Sequence, residues 1–105
     1  MFKVYNESND EAVQVTSLDI LYIKAENDGK LKLKDANGTS FRYPRSAAFL
    51  MHHLNVSKAE RGVYVNLKQV HELDEIVPQL ILHNGEKIRI DNRNLNHLKV
   101  ELSQV

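Results

Sequence analysis

With 105 residues, 42% of them hydrophobic and 27% charged, the chain has the composition of one small globular domain rather than of a disordered or membrane-spanning segment. Its 14 basic residues balance its 14 acidic ones, which argues against a general polyanion binder, because such binding works by neutralising phosphates. Cysteine is absent, so disulfides and thiolate chemistry are excluded; this fits a reducing compartment, and a cytoplasmic protein with no membrane partner is expected.

Residues 1–14 include the acidic run NESNDEA, which would suit a junction to a further domain in a longer chain. AVQV then alternates like a strand, and DILYIKA is apolar on both faces, as a buried strand would be. KLKLKDANGTSFRY has the period-two pattern of a half-exposed hairpin. Leu31 and Leu33 point one way and Lys30, Lys32 and Lys34 the other, with Asn37-Gly38 at the turn.

PRSAAFLMHHLN predicts a short helix, with Ser46 as its N-cap and Ala47, Leu50, Met51 and Leu54 on one face. LILHNGEKIRI repeats the hairpin grammar, with Asn84-Gly85 as the turn and Ile88 and Ile90 facing inward. The tail NRNLNHLKVELSQV reads as a second helix, with Leu95, Leu98 and Leu102 on one face and Asp91 or Asn92 near its start. The sum is one mostly β domain with a short central helix and a C-terminal helix.

No catalytic pattern stands out. Five histidines lack the spacing of zinc sites, and His52 and His53, being adjacent, would point about 100° apart on a helix. There is no G-x-S-x-G and no glycine-rich phosphate loop, so neither an enzyme nor a cofactor or metal is expected. Charge is unevenly spread, however. Residues 24–45 carry Lys24, Lys30, Lys32, Lys34, Arg42 and Arg45, whereas residues 1–23 carry only Lys3. A basic face can therefore coexist with a neutral total.

Three basic residues fall at junctions: Lys30 after ENDG, Arg61 after SKAE (read as a loop), and Arg93 in DNRN between Asn92 and Asn94. Arginine on guanine and asparagine on adenine are the main means of reading base edges in the major groove.

The order of segments resembles the LytTR DNA-binding domain, an output module of bacterial response regulators in two-component systems. The resemblance runs from about Val15 to the end. DILYIKAENDGKLKL is similar to the opening strand, RGVYVNLKQVHEL to the H-R-S-Y-I-V-N-L signature, and LILHNGEKIRIDNRNLNHLK to the closing hairpin and helix. Glu60, Gly62 and Val63 stand where the family often has His, Ser and Tyr.

The resemblance implies an elongated fold of about ten strands in three antiparallel sheets, whose loops enter successive major grooves of a duplex. It assigns base contacts to Lys30, Arg61 and Arg93, with Asn92 and Asn94 alongside. Lys32, Lys34, Lys58, Lys87 and Lys99 are candidates for phosphate contacts. The expected partner is double-stranded DNA, with a homodimer on paired sites and a receiver or sensor domain joined through residues 1–14 in a longer chain, and the expected role is transcription regulation. The competing expectation is a protein-interaction or ligand-sensing β module with no nucleic-acid role.

Overall fold

The computed structural model describes residues 2–27, 29–45, 50 and 54–105. Among these, period-two alternation and tight turns produce ten strands: β1 Phe2–Asn6, β2 Ala12–Val15, β3 Ile20–Ala25, β4 Leu31–Asp35, β5 Ser40–Tyr43, β6 Val56–Glu60, β7 Val63–Asn66, β8 Val70–Asp74, β9 Gln79–Leu82 and β10 Lys87–Arg89. The C-terminal helix spans Asn92–Leu102 and is capped by Asp91. The body measures 40 × 25 × 22 Å.

Every strand pairing is antiparallel, and two sheets result. One has seven strands in the order β2-β1-β5-β4-β3-β7-β6, the other three in the order β10-β9-β8. The resemblance implied three sheets. There are two because Tyr5 and Asn6 of β1 pair with Arg42 and Phe41 of β5, joining the first hairpin to the strands that follow.

β3 is the central wall. Ile20 and Ile23 enter one core with Val4, Leu31, Leu33, Phe41, Leu50 and Leu54, while Leu21 and Tyr22 enter a second. The second core joins β6, β7 and the three-stranded sheet to the helix through Val65, Leu80, Leu82, Ile90 and Leu98. DILYIKA is thus apolar on both faces because each face closes a different core. Both predicted turns form, with Gly38 and Gly85 at positive φ and their amides donating to Asp35 O and Leu82 O.

The predicted central helix falls mostly outside the described residues. Of its apolar face, Leu50 and Leu54 are described; both are buried, and Leu54 N donates to Leu50 O. The C-terminal helix ends at Leu102 rather than running to Val105, its last turn tightening through Gln104 N to Glu101 O.

Two strands had not been read from the sequence. Phe2–Asn6 is one, although it precedes the acidic run. The other is β6, so Lys58 lies on a strand, not in a loop. β6 is an edge strand with Val56 and Ala59 as its apolar residues and a bulge between Lys58 and Glu60, which hides its alternation.

A buried asparagine ties the middle together. Asn66, in the VYVNL stretch, donates from Nδ2 to Ser17 O (2.9 Å) and Ile20 O (2.8 Å), and its Oδ1 accepts from Lys68 N (3.1 Å). It locks the turn Leu67–Gln69 onto the turn Ser17–Asp19, to which Gln69 adds a bond at Leu18 O.

Candidate nucleic-acid interface

Arg61 and Gly62 form the turn between β6 and β7. At the end of β3, Ala25 N donates to Gly62 O at 2.8 Å; the loop beyond closes through Glu26 N to Lys30 O, also 2.8 Å. The loop bearing Lys30 and the turn bearing Arg61 are therefore bonded side by side. Glycine is needed at position 62 for two reasons: φ is +74°, and a Cβ there would lie 3.1 Å from Ala25 O. Gly62→Ala should destabilise by about 1–2 kcal/mol through the left-handed backbone, and more if Ala25 is pushed away. Gly38→Ala, at φ +83° in open space, carries the backbone cost alone, so denaturant titration of both variants isolates the contact with Ala25.

The start of the C-terminal helix is fastened to the same hairpin. Asp91 N donates to Ala59 O of β6 (2.8 Å), and Asn94 Nδ2 reaches the same oxygen at 3.2 Å. One Asp91 carboxylate oxygen caps the helix by accepting from Arg93 N at 3.0 Å. The carboxylate also takes the Arg93 guanidinium, Nε at 3.3 Å and Nη2 at 3.0 Å. The Arg93 side chain and then its backbone amide, both hydrogen-bonded to the carboxylate, hold Asp91 below the usual carboxylate range, with a smaller contribution from Lys58. Reciprocally, Arg93 is held above its ordinary value.

Between turn and helix lies a concavity of about 520 Å³, lined by Glu60, Arg61, Val77, Pro78, Arg89, Ile90, Asp91 and Asn92. Of the residues singled out from the sequence, Arg61 and Asn92 share this hollow, and Arg93 stands beside it. Lys58 is exposed on β6, near enough to Asp91 to influence its charge. Lys30 is linked to the group through the Ala25–Gly62 bond.

Four other candidates have partners within the protein. Asn94 spends its amide on Ala59 O and so holds the helix in place. Lys32 lies on the exposed side of β4, 3.8 Å from Glu7 and 3.7 Å from Glu26. Lys34 is paired with Glu86 (3.0 Å), whose hydrogen bond raises its pKa, and Lys99 is paired with Glu75. Arg89 was missed, although KIRI carries a signal: if Ile88 and Ile90 face the core, Lys87 and Arg89 face away.

His71 and His83 lie with ring centroids 5.6 Å apart, and His97 Nε2 is 2.8 Å from Glu101. Among the described residues no group of three or more His, Cys, Asp or Glu could hold a metal ion; His52 and His53 lie outside them. No helix among the described residues is long and apolar enough to cross a membrane.

No protein-family profile and no curated protein sequence matches the chain. A solved structure does: a domain described as the LytTr DNA-binding domain of a methyl-accepting/DNA response regulator from Bacillus cereus. The two superpose with a TM-score of 0.74 over 100% of both chains, at 14% sequence identity. At that identity the match speaks for architecture, and the architecture is unambiguous: the chain has the LytTR fold.

Proposed function

We propose that this protein binds double-stranded DNA with sequence preference, presenting Lys30, Arg61, Asn92 and Arg93 to base edges in the major groove. The observation that carries the proposal is that three sequence-distant segments are bonded into one rim, through Ala25 to Gly62 and Asp91 to Ala59, on a fold shared with a DNA-binding domain. Lys58 and Arg89 flank that rim and would engage phosphates, which position the protein without reading sequence. Lys32 would add phosphate attraction only by giving up Glu7 and Glu26. A role in transcription regulation follows if the preferred sequence lies in promoters, and paired sites would be filled by two copies.

The test is selection of bound duplexes from a randomised pool at near-physiological salt, for wild type and Arg93→Ala in parallel. Arg93→Ala should weaken binding to the enriched motif roughly ten- to a hundredfold and relax the preference at one base position. Lys58→Ala should weaken binding evenly across sequences and flatten the salt dependence by about one unit of slope. Equal effects of both changes on every sequence would contradict a base-reading role for Arg93.

The zero net charge supports a second reading, an interaction module with no nucleic-acid role. Binding to a protein partner with weak salt dependence, unaffected by Arg93→Ala, would favour it.

A further inference from the structure

Asp91 stands out because it is an acidic residue lining the hollow beside Arg61 and Asn92, two of the residues given to DNA. We propose that it is a positioning residue that aims Arg93 at a guanine; this rests on the DNA-binding reading above. A guanidinium offers two edges that can each make a pair of parallel hydrogen bonds. Asp91 occupies one, through Nε and Nη2. The end formed by Nη1 and the second proton of Nη2 remains, and it matches O6 and N7 of guanine.

The support beneath the pair is firm. Asp91 N is bonded to Ala59 O, and the preceding Ile90 is buried with its amide bonded to Pro78 O. The side chain of Asp91 is 31% exposed and that of Arg93 is 86% exposed, so the anchored edge faces the protein and the other faces outward. Holding the guanidinium in one orientation removes in advance part of the side-chain entropy lost on binding. The charge argument points the same way. An arginine kept for phosphates gains nothing from an attached carboxylate, which repels them, whereas an arginine kept for a base gains direction and selectivity.

Asn and Ser both cap helices well, so Asp91→Asn and Asp91→Ser keep the bond to Arg93 N and remove the carboxylate. The experiment measures equilibrium binding of wild type, both variants and Arg93→Ala to three duplexes: the selected motif, the same duplex with 7-deazaguanine at the position that Arg93→Ala relaxes, and an unrelated sequence. Melting of each variant checks that the helix is intact. Wild type should lose about tenfold or more in affinity on 7-deaza substitution, which deletes the N7 acceptor. In both Asp91 variants that penalty should shrink severalfold, while affinity for the unrelated duplex rises.

An undiminished 7-deaza penalty in folded Asp91→Asn and Asp91→Ser would overturn the positioning role and leave DNA binding standing. A relaxed position that is not guanine would overturn the assigned base. If folded wild type enriched no motif at all, the DNA reading itself would fall, and this proposal with it.

Discussion

Leu98→Ala should destabilise the protein by about 2–5 kcal/mol, seen as a lower urea midpoint with an unchanged slope. Leu98 is completely buried, in the core that joins the helix to β6, β7 and the three-stranded sheet. Truncation removes the transfer energy of the lost methyls and leaves a cavity between elements of three different origins, which cannot easily close together. Val100, two residues on and 57% exposed, is the internal comparison, and Val100→Ala should stay within about 0.5 kcal/mol. The consequence reaches the candidate interface, because the helix that Leu98 seats begins at Asn92 and Arg93. A loosened helix should therefore weaken any DNA binding before the protein unfolds.

The second large effect is expected at Asn66. Alanine there would take the side-chain donor away from the buried Ile20 O and from Ser17 O, and the side-chain acceptor away from Lys68 N. A buried unsatisfied group costs roughly 1–3 kcal/mol, and the other two are near enough to the surface to recruit water, so about 2–3 kcal/mol is expected overall. Asn66→Asp is sharper. It keeps the shape but turns the amide that donates to two carbonyls into a carboxylate oxygen facing them, inside the protein. That variant should be less stable than Asn66→Ala near pH 7 and should recover as the pH falls and the carboxyl protonates. The sign follows from linkage, since its folded-state pKa would be raised above the unfolded value. Denaturation of both variants at pH 5 and pH 7 checks the ordering.

Such a residue shows what was legible. Asn66 sits in RGVYVNLKQVHEL, one of the stretches that carry the resemblance, and nothing in that stretch marks its amide as buried. Its partners, Ser17 and Ile20, lie more than forty positions away, and no local pattern announces them. β3 was readable as a short apolar run because both its faces are buried, and the two glycine-turn hairpins because burial of one face imposes alternation on them. β6 was not, because the residues it buries, Ser57 and Ala59, are too small and too weakly apolar to mark a face. At the candidate interface the positions of Lys30, Arg61 and Arg93 at element junctions could be read. That backbone bonds at Ala25 and Ala59 draw them together could not. Asp91 could be read as a residue near the helix start, but not as the carboxylate that grips the Arg93 guanidinium.

The 40 Å length of the body has a bearing on how two copies could share a duplex. A turn of B-form DNA rises roughly 34 Å. Two molecules lying lengthwise along one face would overlap if their sites were a single turn apart, and would need about two. Molecules lying crosswise, with 25 or 22 Å along the axis, fit at one turn. The distance between repeated motifs, once known, would then show which way the protein lies on its DNA.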